Sequence, residues 1–189
     1  MRLLRIMAPL ALVATLATAC GSGSSSQGAG SPPSVGASSS LELRPVYARY
    51  ATGIALGPSV PQALRSTMAS VTCPTKPSIV QGMLLECDRA DTVFLLRAPI
   101  VSGGVASATA EQVGHKQLWF VQVTLQPAAK ATLDAALKTL TGTELAYSFD
   151  GTVVTSVIVD PALDTSKLAI LGTFNKAQAT KLAGQISSS

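Results

Sequence analysis

The chain has 189 residues, of which 47% are hydrophobic, 13% charged and 4% aromatic. A single core suits that length, and so little charge among so many apolar residues excludes a disordered acidic or basic tail. Three cysteines are too few for a disulfide-built miniprotein, and a formal net charge of +4 with no concentrated basic patch excludes nucleic acid as a partner.

Residues 1–19 read as a secretory signal peptide. Arg2 and Arg5 precede an apolar run from Ile6 to Leu16. That run is shorter than the ~20 residues needed to cross a bilayer, and Pro9 interrupts it. Small residues then lead to a cysteine in Leu16-Ala17-Thr18-Ala19-Cys20-Gly21. The pattern resembles the bacterial lipobox, in which the thiol takes a diacylglyceryl group and the signal is cut before it. Ala17 stands where leucine is commonest. The alternative is a plain signal peptide with a cysteine at its cleavage site. On the lipobox reading, acylated Cys20 anchors the chain in a lipid bilayer, on the extracytoplasmic face of the cell membrane.

Residues 20–40 then form the lipidated cysteine and a tether. Gly21 to Ser40 carry no charge and cannot bury enough surface to fold. A flexible segment of that length spans ~25 Å. Residues 41–189 remain as the globular domain.

Cys73 and Cys87 are the cysteines left over, and export would place them where thiol pairs close. A disulfide between them is expected. The alternatives are two buried thiols or half of a metal site. A single histidine, His115, and the absence of CxxC or HExxH spacing speak against metal.

Thr92 to Arg97 is a short β-type run stopped by Pro99. Leu118 to Leu125 alternates, with Trp119, Val121, Val123 and Leu125 on one face. Pro127 opens a helix in which Leu133, Leu137 and Leu140 recur at helical spacing, Lys130 and Asp134 lie one turn apart, and Gly142 marks the end. Asp150-Gly151 between Leu145–Phe149 and Val153–Val159 predicts a hairpin with a type I′ turn. Leu168 to Leu171 is the last strand, and Asn175 with Gln178 predicts a capping box opening the last helix. The order predicts an α+β fold, an antiparallel sheet with helices packed on one face. Its expected form is a four-strand sheet backed by two helices of the C-terminal half.

No residue set for catalysis is apparent, and no cofactor is implied. His115 lies in a polar stretch before a strand. Gly103-Gly104 sits in a loop with no helix start after it, a weak phosphate cradle. Asp160 and Asp164 flank Pro161 as an acid/base pair would, but turns recruit aspartates for local hydrogen bonds. Glu86, Asp88 and Asp91, with Arg89 among them, read as a solvated turn. Trp119 and Phe120 read as strand aromatics on opposite faces. The chain reads as a non-enzyme.

Five pieces in order resemble a known family. These are Leu43-Arg44-Pro45-Val46; Cys87-Asp88 with Phe94-Leu95-Leu96 and Ala98-Pro99; the strand Trp119–Leu125 running into a helix; the hairpin Ala146–Ser156; and Ala169-Ile170-Leu171-Gly172-Thr173-Phe174 before the last helix. Together they are similar to the head subdomain of the first periplasmic (P1) domain of SecD/SecDF, with Asp150, Gly151, Gly172 and Phe174 on its motif positions. The resemblance implies an α+β domain outside the membrane that contacts polypeptide emerging from the export channel. Val157 replaces the family's proline after the hairpin, and no later apolar stretch approaches spanning length. The expectation is a membrane-anchored lipoprotein carrying a protein-binding module accessory to protein export or folding, without a proton-driven motor. Its expected partners are exported polypeptides or Sec translocase components. The alternative is an envelope ligand- or lipid-binding or scaffold lipoprotein that reuses the fold.

Overall fold

In the computed structural model the described residues are 39–51, 56–114 and 117–189, so the signal peptide, Cys20 and His115 lie outside them. The elements in order are β1 (Glu42–Tyr50), α1 (Gln62–Ser70), β2 (Ser78–Val80), β3 (Met83–Asp88), β4 (Val93–Leu96), β5 (Val101–Ser102) and β6 (Val105–Gln112), then β7 (Trp119–Leu125), α2 (Pro127–Leu137), β8 (Glu144–Phe149), β9 (Thr152–Ile158), β10 (Leu168–Phe174) and α3 (Lys176–Ser187).

Strong local signals produce the elements they predict. Asp150 and Gly151 take φ of 51° and 70°, the pair of positive angles a type I′ turn needs. Pro127 occupies the first turn of α2, and Lys130 Nζ meets Asp134 Oδ2 at 2.7 Å one turn on. In β7 the side chains of Val121, Val123 and Leu125 are buried and those between them are half-exposed. Asn175 Oδ1 accepts from Gln178 N at 2.9 Å while Gln178 Oε1 accepts from Asn175 N at 3.0 Å, a complete capping box. The apolar stripe of α3, Ala179, Leu182, Ala183 and Ile186, is buried. One boundary differs: α2 stops at Leu137. Leu140 N then donates to Leu137 O at 3.1 Å and Thr143 N to Leu140 O at 2.8 Å. The chain thus winds through turns before Gly142 at φ 79°.

The expected single four-strand sheet is two sheets. β10 does not join the β8–β9 hairpin that precedes it; it pairs antiparallel with β7, with β6 on the far side. The choice follows burial. Leu168 and Ile170 lie opposite Val123 and Val121, all four are buried, and α3 packs its stripe on the same cluster. The main core forms between this small sheet and the outward face of the larger one, where Leu43, Leu145, Tyr147 and Phe149 point.

The larger sheet runs β2-β3-β4-β1-β8-β9, with β5 paired to β1. It is antiparallel except where β9 meets β3 in parallel over Cys87–Thr152 and Asp88–Val153. That bridge closes β3, β4, β1, β8 and β9 into a small barrel, which removes most of the free strand edge. Pro45 sits inside a central strand because β1 changes partners there. Glu42–Pro45 pair with β8 and Val46–Tyr50 with β4.

Directly opposed residues share a face, so the registers sort the side chains. Leu84, Phe94, Leu96, Ala146 and Val153 fill the barrel interior. Leu85, Cys87, Val93 and Leu95 point the other way, onto Leu64 and Met68 of α1. Both faces of β3 and β4 are buried, which is why their sequences read as continuous apolar runs. Cys73, in the segment after α1, is joined to Cys87 of β3 by a disulfide. No helix among the described residues is long and apolar enough to cross a membrane.

Candidate functional site

A cleft of about 290 Å³ opens where the barrel meets the small sheet. One wall is β9 from Val153 to Ser156; the other is Gly172, Thr173 and Phe174 of β10, with Gln178 from α3. Asp88, Arg89 and Ala90, from the turn between β3 and β4, close one end, and Phe94 lies on the floor. A second hollow of about 320 Å³, lined by Arg49, Ala51, Asp88, Thr92, Phe94 and Ser156, continues it along the barrel mouth. There Arg49 Nη1 donates to Glu144 Oε1 at 3.1 Å and Ser156 Oγ donates to the same oxygen at 2.7 Å.

The second cleft wall depends on a glycine. A Cβ built on Gly172 would lie 2.7 Å from a carbon of the Phe174 ring, closer than side-chain carbons approach. The ring therefore folds back over the bare Cα of Gly172. The Arg89 guanidinium carbon stands over the same ring, 5.5 Å from its centroid, a cation–π contact. Phe174 itself is buried in the main core. The spacing Gly172-x-Phe174 thus sets a rigid aromatic post at the cleft edge.

Of the sequence-selected residues, Gly172 and Phe174 line the cleft, whereas Asp150 and Gly151 do not; they make the turn that delivers β9 to it. The acidic trio is split. Asp88 caps its own turn, Oδ1 accepting from Ala90 N and Thr92 N at 2.8 Å each, and Asp91 holds φ at 61°. Glu86 is no part of a solvated turn: it is 2% exposed, inside the barrel, because β3 continues through it. Asp160 and Asp164 accept from Ala162 N and Ser166 N at 2.8 Å each, so each carboxylate serves its own turn. Gly104, at φ 68°, packs against α2, where a Cβ would meet that of Ala129 at 2.7 Å. Trp119 and Phe120 are both half-exposed on β7, Trp119 beneath Lys176 Nζ at 5.5 Å from the ring centroid. Arg89, Phe94 and Gln178 were not legible as site residues, since each meets the cleft through contacts distant in sequence.

Ser148 Oγ donates to Glu86 Oε2 at 2.5 Å across the barrel. Nearby, Arg44 Nε pairs with Glu42 Oε2 at 2.7 Å and Arg44 Nη1 donates to Arg97 O at 2.9 Å. Burial pushes the Glu86 carboxyl above its ordinary 4.5; the Ser148 hydrogen bond and Arg44 oppose this, and Glu42 adds to it. A carboxyl whose pKa is raised by folding binds its proton more tightly folded than unfolded. Its contribution to stability is therefore full below about pH 4.5 and is lost as pH rises through the folded pKa. Glu86→Gln keeps an oxygen for Ser148 without the charge. Melting curves across pH should show the variant gaining on the wild type as pH rises and then levelling. At neutral pH the variant should be the more stable of the two. A difference that does not change with pH would contradict this account of Glu86.

A family model described as the SecDF P1 head subdomain matches residues 81–189. The chain belongs to that family. The matched stretch holds both cleft walls, the Arg89 turn and the whole small sheet, while β1 and α1 precede it. Two solved structures share the fold. One, a SecDF in a super-membrane-facing form, is 21% identical at a TM-score of 0.52, over 80% of this chain and 19% of that one. The other, described as a membrane component SecDF that enhances protein export, is 20% identical at a TM-score of 0.52, over 81% of this chain and 64% of that one. The chain therefore spans about a fifth of the first SecDF structure's length. No curated protein matches the sequence.

Proposed function

We propose that this protein is an extracytoplasmic lipoprotein, held at the membrane through Cys20, whose head domain binds extended polypeptide as an accessory to protein export or folding. The observation that carries the reading is the family match over residues 81–189, which covers both cleft walls; a structural relative carries the description of enhancing protein export. The strand pattern supports it. β9 pairs with β8 along its length but meets β3 only at Thr152 and Val153. From Val154 onward its other edge has no strand partner among the described residues. Such an edge offers an extended chain backbone groups to pair with, and the adjoining cleft takes side chains. A cleft of about 290 Å³, at the small end of ligand pockets and bordered by Arg89, Thr155 and Gln178, suits a peptide segment better than an acyl chain. The reading assigns the chain no catalysis and no motor of its own.

A photoreactive amino acid at Thr155, introduced in cells, tests the reading against the same group at Thr132 on α2. Adducts with exported polypeptides or translocase subunits are expected at Thr155 and not at Thr132. If neither class of protein is recovered from Thr155, the export role is wrong. The anchor has its own test, since Cys20→Ser should move the protein from the membrane to the soluble fraction on fractionation. Unchanged membrane retention would refute the lipid attachment.

A further inference from the structure

Arg89 stands out among the groups that border the cleft. The turn that carries it is stiff: besides the two bonds to Asp88 Oδ1, Asp88 N donates to Thr92 O at 2.9 Å. Its guanidinium stands over the Phe174 ring at 5.5 Å from the centroid, and that ring lies against the bare Cα of Gly172. Arg89 is the one cation among the described residues lining the main cleft. No carboxylate pairs with it, since the ion pairs among the described residues are Arg44–Glu42, Arg49–Glu144 and Lys130–Asp134. Asp88, the other charged lining residue, commits Oδ1 to two backbone amides. A guanidinium held over an aromatic ring by a cation–π contact, with no ion-pair partner among the described residues, has its N–H groups available to grip a carboxylate through two bonds.

We propose that the cleft selects segments of extended polypeptide that carry a carboxylate, and that this group docks on Arg89. The inference rests on the polypeptide-binding reading above and names the chemistry that reading would prefer. Charge complementarity at a preformed, ring-backed cation is what commits it to an anionic partner. Neutral hydrogen-bonding groups on Thr155, Thr173 and Gln178 would serve the backbone on either side.

The test uses the full chain in detergent and three fluorescein-labelled, unstructured peptides that differ only at a central Glu, Gln or Lys. Fluorescence anisotropy should show the Glu peptide binding about five- to tenfold tighter than the Gln peptide, and the Lys peptide weakest. Raising the ionic strength should narrow the gap between Glu and Gln. Arg89→Ala should bring the Glu and Gln peptides to equal affinity. Arg89→Lys, which keeps the charge and loses the fork, should retain only part of the gap. Melting curves of both variants confirm that the fold is kept. Equal affinity for the Glu and Gln peptides in the wild type overturns carboxylate selection and leaves polypeptide binding standing. If none of the three peptides binds, polypeptide binding itself falls and the selectivity falls with it.

Discussion

Phe174→Ala is expected to lower the stability of the domain by about 3–5 kcal/mol, the range for removing a buried phenylalanine ring. For a domain of this size that is a fall in melting temperature on the order of 10 °C. The ring is 5% exposed and belongs to the main core with Val121, Ile170 and Leu182. Truncation therefore removes packing from the small sheet and α3 as well as the edge of the cleft. Gly172→Ala makes the complementary change. It leaves the ring in place and puts a methyl group 2.7 Å from it, an overpacking expected to cost about 1–3 kcal/mol. Arg89→Ala removes only an exposed cation from the same ring and should stay within about 1 kcal/mol of the wild type. Denaturant titrations of the three variants give the order Phe174→Ala, Gly172→Ala, Arg89→Ala from most to least destabilised. If Phe174→Ala were as mild as Arg89→Ala, the ring would not be the post on which the cleft wall stands. The order matters for function because it separates the group that builds the wall from the group offered to a ligand. A binding defect in Arg89→Ala at unchanged stability belongs to recognition.

What the sequence disclosed, and what it did not, divides along sequence separation. The type I′ turn at Asp150-Gly151, the capping box of Asn175 and Gln178, Pro127 in the first turn of α2 and the alternation of β7 all depend on residues within a few positions of each other. Each such rule acts before any tertiary contact forms, so each could be read directly. The pairing of β10 with β7 was missed because neighbouring strands usually pair, and here the buried faces of two distant strands outweighed that preference. Barrel closure was hidden for the same reason. The bridge joins Cys87 to Thr152, and no local pattern announces that the two strands will meet. Glu86 was misread because Glu86, Asp88 and Asp91 look like a solvated acidic turn in one dimension. The partner that admits Glu86 to the interior, Ser148, is 62 residues away. Motif spacing singled out Gly172 and Phe174, but the contact between them, a ring lying on a bare Cα, appears only in three dimensions. Arg89 is legible in sequence only as one residue of a turn, because what distinguishes it is a cation–π partner in another sheet.

Replacing both Cys73 and Cys87 by serine should have an effect nearly as large as loss of the Phe174 ring, with a different distribution. The cysteines lie 14 positions apart, and opening a loop of that size returns about 3 kcal/mol of conformational freedom to the unfolded chain. The melting temperature should fall by ~6–12 °C. The bridge also has a local task. α1 buries only Leu64 and Met68, and these reach the cluster of Leu85, Cys87, Val93 and Leu95 on the outside of the barrel. Two apolar side chains hold a nine-residue helix weakly, and the disulfide supplies the remaining restraint on the segment that follows it. Hydrogen exchange should therefore show protection lost first in α1 and β2 when the bridge is absent or reduced. The amides of β7, β8 and α3, anchored in the main core, should keep theirs until global unfolding. Uniform loss of protection across both sheets would mean that the bridge braces the whole domain instead of this appendage. Because Cys87 immediately precedes Asp88 and Arg89, an intermediate result is also informative. Faster exchange at Ala90 and Thr92, whose amides Asp88 caps, would show that the bridge stiffens the cleft turn too. Peptide affinity should then fall together with the redox state of the pair, while carboxylate selection by Arg89 would weaken in proportion.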